Sequence, residues 1–235
     1  MRTAKTVLTV IQERGKQKKP IERVYKLLFN RELYLNAYAK LYPNNGAMTK
    51  GVTNETVDGM SIQKIDRMIE ILREEKYQWK PARREYIKKK NGKKRPLGIP
   101  VWGDKVLQEV MRQILEAYYE PQFSEHSHGF RPNRGCHTAL QEIQVWKGTR
   151  WFIEGDISQY FDTIDHKILL EILARNIHDG RFIRLVSNML EAGYLEEWKF
   201  KQTISGVPQG GVISPILDLS LIHISEPTRL RRISY

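Results

Sequence analysis

The sequence predicts a helix-rich mixed α/β fold with a basic β-hairpin and an antiparallel-rich sheet backed by helices. Three observations predict it. Apolar residues recur at helical spacing along much of the chain. Asn91-Gly92 stands between two extended basic runs, residues 83–90 and 93–100, which is a strong hairpin signal. Residues 151–157 (Trp-Phe-Ile-Glu-Gly-Asp-Ile) read as a buried strand that carries a carboxylate, Asp156, at its end.

Taken in order, the first twenty residues are basic, finish in Lys16-Gln17-Lys18-Lys19-Pro20, and read as a flexible arm. From Ile21 a helix is expected, with Val24, Leu27, Leu28 and Tyr34 on its inner side, broken at Tyr42-Pro43-Asn44-Asn45-Gly46. Ser61 is a good N-cap for a second helix that repeats Ile62, Ile65, Ile69 and Leu72. The hairpin follows. A third helix covers about residues 104–119, with Val106, Val110, Ile114 and Tyr118 inward. After a Gly/Pro/Arg-rich loop, a fourth covers about residues 137–146. Asp165-His166 opens a helix that turns Ile168, Leu169, Ile172 and Leu173 inward, and another spans about residues 180–190. Residues 200–204 are extended, and Gly206 to Gly211 form a tight turn. There is no internal repeat and no linker between domains.

Composition narrows the function. In 235 residues, 39 Lys and Arg stand against 27 Asp and Glu, a formal charge of +12. A surplus of that size favours a polyanionic partner, because each phosphate neutralised releases condensed counterions. The single cysteine, Cys136, excludes a disulfide framework and a Cys-rich zinc site. The one apolar run near the start, Val7 to Ile11, is interrupted by Thr9 and is too short for a signal-peptide core or a membrane span. The expectation is a soluble protein of the cytoplasm or an organellar matrix.

Three places can carry chemistry. Asp156 is a natural ligand for Mg²⁺, which prefers hard oxygen donors. Its neighbours Asp162 and Asp165 suit a turn and an N-cap, and capping is a competing role for an isolated Asp of this kind. Lys and Arg on the hairpin can fold over a triphosphate, or can simply form a solvated charged surface. The turn Pro208-Gln209-Gly210-Gly211 lets backbone approach a ligand closely while Gln209 donates to a sugar or phosphate; it is equally readable as a plain hairpin turn.

Four segments occur in a telling order: Arg95-Pro96-Leu97-Gly98-Ile99-Pro100, Ser127-His128-Gly129-Phe130-Arg131-Pro132-Asn133-Arg134, Asp156-Ile157-Ser158-Gln159-Tyr160-Phe161-Asp162, and Gly206-Val207-Pro208-Gln209-Gly210-Gly211-Val212-Ile213-Ser214-Pro215. Together they resemble the successive blocks of group II intron-encoded reverse transcriptases, over about residues 20–217. Gly51-Val52 and Val57-Asp58-Gly59-Met60 are similar too. Retron and diversity-generating enzymes share the Asp156 and Pro208-Gln209-Gly210 blocks; the other two favour the group II lineage and its CRISPR-associated relatives.

The resemblance implies a right-hand polymerase: residues 21–150 as fingers and N-terminal RNA-binding region, residues 151–217 as a partial palm with an incomplete antiparallel sheet. It implies an RNA-directed DNA polymerase that uses two Mg²⁺ ions and also acts as an intron RNA maturase. Asp156 matches the catalytic aspartate that binds both ions, with the Ile157 carbonyl helping to hold one. Phe161 matches the aromatic gate that excludes a ribose 2′-OH. Lys89 and Arg95 match the residues that grip the triphosphate, Gln209 the glutamine beside nucleotide and template, and Arg83 a contact to template or nucleotide. Partners implied are intron RNA template, DNA or RNA primer, and deoxynucleoside triphosphates, with no membrane.

The chain departs from the family after Leu217. The second catalytic block is a Tyr-Ala-Asp-Asp hairpin, and this chain contains no Asp-Asp pair. Where the family continues with a small residue and Asn, the chain has Asp218, then Leu219-Ser220-Leu221-Ile222-His223-Ile224-Ser225-Glu226-Pro227-Thr228-Arg229. That peptide is similar to the translation of a transposase-end adapter used in sequencing libraries. Residues 218–235 are therefore read as a non-native tail without a confident fold, and the chain as a fragment that is catalytically incomplete by itself. The alternative function is an RNA-binding splicing factor without polymerase activity. A metal-dependent nuclease on Asp156, Asp162 and Asp165 is a third reading, and it needs a further His or Glu in the same cleft.

Overall fold

A computed structural model of the chain describes residues 2–88, 92, 94–151, 153–155, 157, 160–197, 199–203, 205–206 and 210–225, with only the backbone at residues 161, 162, 224 and 225. The chain begins in a helix, not a flexible arm. Helix α1 spans Ala4–Lys16, capped by Thr3, whose side chain accepts from the Thr6 N–H. Ala4, Leu8, Ile11 and Gly15 form one stripe at helical spacing and pack into the core. The lysines and arginines that suggested an arm occupy the other faces. The end of the segment is tied down where the buried Tyr118 donates its hydroxyl to the Lys19 carbonyl.

The single helix expected from Ile21 is three pieces. Ile21–Glu22 is a short strand, β1. Val24–Phe29 is 3₁₀, entered through Arg23 in the left-handed region at φ 55°. Helix α2 then spans Arg31–Leu41, its N-cap being Asn30, which accepts from Glu32 N. Val24 and Leu28 are buried regardless, so the helical spacing was real but belonged to two helices of different pitch. Helix α3, Ile62–Arg73, starts where Ser61 accepts from Lys64 N, and it buries Ile65, Ile69 and Leu72.

Strands β2 (Ala82–Lys88) and β3 (Lys94–Ile99) form the expected antiparallel hairpin. Helix α4, Trp102–Tyr119, follows; Val106, Val110, Ile114 and Tyr118 are buried as the periodicity requires. It is the spine of the molecule: α1 and α2 both lie against it. Helix α5 spans Cys136–Gln144, α6 spans Tyr160–Thr163, and α7 spans His166–Asn176, with Asp165 as N-cap to Lys167 and Ile168. In α7, Leu169, Ile172 and Leu173 are buried, but Ile168 is exposed. Ile177–His178 forms β4, α8 spans Gly180–Glu191, β5 spans Tyr194–Glu196, β6 spans Lys199–Lys201, and α9 spans Ser214–Ser225.

Two sheets result. β1 and β4 pair in parallel, Ile21 opposite Ile177. Beside them Asp179 accepts from Tyr25 N at 2.9 Å while also capping α8 at Arg181 N. The larger sheet has the order β3-β2-β5-β6, with β2 and β5 parallel and the other pairs antiparallel. Pro96, which has no N–H to donate, sits on the edge strand β3.

Among the described residues of 151–157, the expected buried strand is not formed. Its described residues have no regular structure, and Trp151 and Ile153 are 86% and 92% exposed. An apolar run becomes a buried strand only when a neighbour takes its backbone groups and a second layer covers its side chains. Among the described residues neither lies against it. The tail differs in the opposite sense. α9 carries the chain as helix to Ser225, burying Leu217, Leu219 and Ser220, where no confident fold was expected.

Candidate nucleotide and nucleic-acid site

Directly opposed residues of an antiparallel pair share a face. The hairpin register pairs Arg83 with Ile99, Glu85 with Leu97 and Ile87 with Arg95. It thereby puts Arg83 and Arg95, two of the three cations singled out in the sequence, on one face of the sheet together with Leu97. Arg83 is anchored there: its Nε donates to the Lys50 carbonyl at 3.0 Å, and its guanidinium pairs with Glu85. Arg95 is exposed nearer the hairpin tip. Lys89 lies outside the described residues.

The glycine turn meets this face. Gly210 has φ +103°, a conformation that favours glycine, and a Cβ built on it would lie 2.7 Å from Leu97 Cδ1 and 2.8 Å from the Gly98 carbonyl oxygen. A cavity of about 220 Å³ opens beside this contact, lined by Leu97, Gly98, Gly210 and Val212 together with Trp102 and Lys105. Two further tethers hold the turn. Val212 N donates to Gln108 Oε1 on α4 at 2.9 Å. On the other flank Gly206 N donates to the Ile164 carbonyl at 2.8 Å, and His166 Nε2–H donates to the Gly206 carbonyl at 2.7 Å. Ile164 and His166 lie just beyond the Asp156 block. Two of the four sequence blocks therefore meet at Gly210, and the residues just after the Asp156 block hold Gly206.

Asp156 and Gln209 lie outside the described residues, as does the side chain of Phe161, whose backbone is in α6. Ile157 is 65% exposed. Among the described residues, no three of His, Cys, Asp and Glu are grouped to hold a metal ion. Asp165 caps α7, as one reading of it required.

The Gly-Phe-Arg-Pro block is structural in its arginine. Arg131 is buried, holds the Glu120 carboxylate with Nε and Nη2 at 2.9–3.1 Å, and donates to the Ser127 carbonyl at 2.9 Å. Its guanidinium also lies 5.5 Å from the Phe123 ring centre. Phe130 and Asn133 beside it adopt left-handed backbone at φ 57° and 58°.

Sequence reading missed three residues that build the site. Gln108 is a buried amide on α4, beside the buried Leu107 and Glu109, and nothing local marked it as a tether. His166, read in the sequence only as the opening of a helix, is part-buried on Gly206; nothing local marks it. Asp104, buried at the start of α4, accepts from the Tyr77 hydroxyl at 2.6 Å and Lys80 N at 3.0 Å, which fixes the segment entering β2. Burial outweighs those hydrogen bonds and pushes its carboxyl up to about 6.

A helical body bearing a basic fingers hairpin against a glycine turn is the architecture of a polymerase fingers and palm. Residues 87–230 match the family of reverse transcriptases (RNA-dependent DNA polymerases), more than half of the chain, so the protein belongs to that family. Its sequence relatives place it in the group II intron branch. It is 49% identical to the group II intron-encoded protein LtrA of Lactococcus lactis subsp. cremoris over 86% of this chain and 34% of that one. It is 46% identical to the 91 kDa protein in the cob intron of Schizosaccharomyces pombe, over 94% of this chain and 28% of the relative. The chain thus spans about a third of the length of these relatives. Among solved structures, a partial Cas6-RT-Cas1–Cas2 complex superposes with a TM-score of 0.56 at 18% identity, over 85% of this chain and 34% of that one, which shows the shared fold. No described helix is long and apolar enough to cross a membrane.

Proposed function

We propose that this chain is the fingers and first palm segment of an RNA-directed DNA polymerase that also serves its intron RNA as a maturase. The observation that carries the reading is what meets at Gly206 and Gly210: the hairpin that bears Arg83 and Arg95 lies against Gly210, and Ile164 and His166, just after the Asp156 block, hold Gly206. That arrangement suits a triphosphate held against the fingers with its reacting end toward Asp156. Lys89 and Arg95 neutralise the phosphates, Arg83 contacts template or nucleotide, Gln209 sits beside the incoming base pair, and Phe161 screens the sugar. Asp156 and the Ile157 carbonyl would hold Mg²⁺, whose chemistry is to stabilise charge on the attacking and leaving oxygens. The substrates are intron RNA template, primer and deoxynucleoside triphosphates, and the cytoplasm or an organellar matrix is the compartment. Residues 1–20 open the fingers region, 21–150 complete it, and 151–217 belong to the palm. The tail, 218–235, is read as foreign: both carboxylate oxygens of Asp218 are buried without a partner among the described residues. The family match, which runs to residue 230, weighs against that last reading.

The test is a chimera in which residues 20–217 replace the matching stretch of the Lactococcus relative, which brings its own downstream blocks. It should extend a DNA primer on an RNA template, and Asp156→Ala should abolish extension while primer–template binding persists. The 235-residue chain, which has no Asp-Asp pair, should bind primer–template without extending it. A chimera that binds primer–template but never extends it overturns the polymerase assignment and leaves RNA binding.

A further inference from the structure

The same register that gathers Arg83 and Arg95 on one face defines the opposite face. β2 and β3 place Arg84, Tyr86, Lys88 and Lys94 there, and β5 and β6 add Tyr194, Lys199 and Lys201. Glu196 is the only carboxylate these strand residues contribute to it. That charge is already taken, since Glu196 accepts from the Tyr86 hydroxyl and pairs with Lys201. Side-chain contacts agree with the assignment: the Arg84 guanidinium lies 3.8 Å over the Tyr194 ring. We propose that this outer face binds a second stretch of single-stranded RNA, outside the polymerase cleft. The proposal rests on the reading of the protein as an RNA-dependent enzyme.

Three features select the ligand. Lys88 and Lys94 are directly opposed across the hairpin. Like charges in that position are destabilising alone, and a phosphate chain offsets them. Tyr86 is 49% exposed between them and the β5–β6 cations, so a base can stack on it while flanking phosphates reach the lysines. Arg84 on Tyr194 adds a second flat surface of the same kind. A duplex buries its bases and would use only the charges. An acidic peptide would use the charges and leave the tyrosine idle. Single-stranded RNA uses both.

The experiment measures binding of a fluorescent 12-nucleotide oligouridine RNA to the 235-residue protein, with the cleft saturated by unlabelled primer–template, across a salt series. Lys94→Ala/Lys199→Ala should flatten the slope of log affinity against log salt by about 1.4, two phosphates at about 0.7 each. Tyr86→Ala should weaken binding about tenfold or more, and Tyr86→Phe, which keeps the ring, should restore it. Arg83→Ala/Arg95→Ala should leave oligouridine binding unchanged and weaken primer–template binding. Unchanged slope and affinity in the outer-face variants overturn the inference, and leave the polymerase reading standing if the Arg83/Arg95 variant still loses primer–template. Equal binding of duplex DNA, or a Tyr86→Ala variant that binds as wild type, overturns it as well. If the wild type binds neither RNA nor primer–template, both readings fall.

Discussion

Gly210 needs freedom in two ways at once. Its φ of +103° excludes most side chains, and its missing Cβ is the space into which Leu97 and the Gly98 carbonyl fit. Gly210→Ala should therefore cost more than about 1 kcal/mol of stability, and it should push the turn off the hairpin. Denaturant unfolding checks the first; primer–template binding, weakened in parallel with Arg95→Ala, checks the second. Full stability with full binding in the alanine variant would show that the turn reaches its position without this contact. Arg131 makes the converse point. It lies in one of the four blocks that mark the family, yet its guanidinium is spent on Glu120, Ser127 and Phe123 inside the fold. A motif residue can mark a family by holding a loop.

At the scale of elements, α1 approaches α4 so closely that a Cβ on Gly15 would overlap the Tyr118 carbonyl. Backbone cannot yield as a flexible side chain does, so Gly15→Ala should cost about 1–3 kcal/mol and expose α1 to proteolysis before the rest of the chain; uniform resistance to protease would refute this. The stripe Ala4, Leu8, Ile11, Gly15 was present in the sequence, but the surrounding charge hid it. Elements whose signals are local were legible: α3 from Ser61 and its isoleucines, α8 from its spacing after Asp179, and the hairpin from Asn91-Gly92. The hairpin's register was not. A two-residue Asn-Gly turn would set Lys88 opposite Arg95, whereas Lys88 lies opposite Lys94, and that shift of one position is what brings Arg83 and Arg95 to a common face. The other elements that could not be read depend on distant partners. Residues 151–157 have the composition of a strand, and composition does not supply the neighbour a strand requires. The 3₁₀ segment before Asn30 keeps its apolar residues buried while changing pitch. The tethers of Gln108 and His166 to the glycine turn span 104 and 40 positions of sequence.

For the molecule as a whole, two buried carboxyls set a pH dependence. Burial raises Asp218 from 3.8 to about 7, and Asp104 from 3.8 to about 6. An acid whose folded pKa is raised keeps a proton that the unfolded chain releases. Its contribution is most favourable below about pH 4 and is lost as pH rises toward 6–7. Three pK units at about 1.4 kcal/mol each bound the Asp218 effect at about 4 kcal/mol. Asp218→Asn should therefore be more stable than wild type at pH 7.5, with the advantage shrinking at pH 4.5. Urea midpoints at the two pH values decide it; an advantage that is the same at both would mean the carboxyl is solvated. The half-buried Glu142 and Glu196 are held below the usual range by His128 and His126 and by Lys201 and Tyr86 respectively, so they titrate in the opposite sense and are common to wild type and variant.

The parallel bridge between Ile21 and Ile177, with Asp179 receiving the Tyr25 N–H, carries a consequence for how the chain is made. Synthesis is vectorial, and Tyr25 leaves the ribosome 154 residues ahead of its partner. At about 5–20 residues per second, the segment that includes Ile21 waits roughly 8–30 seconds before it can be closed. During that interval Ile21 and Tyr25 are apolar surface open to chaperones, and a ribosome stalled short of residue 177 would hold a nascent chain whose beginning cannot be finished.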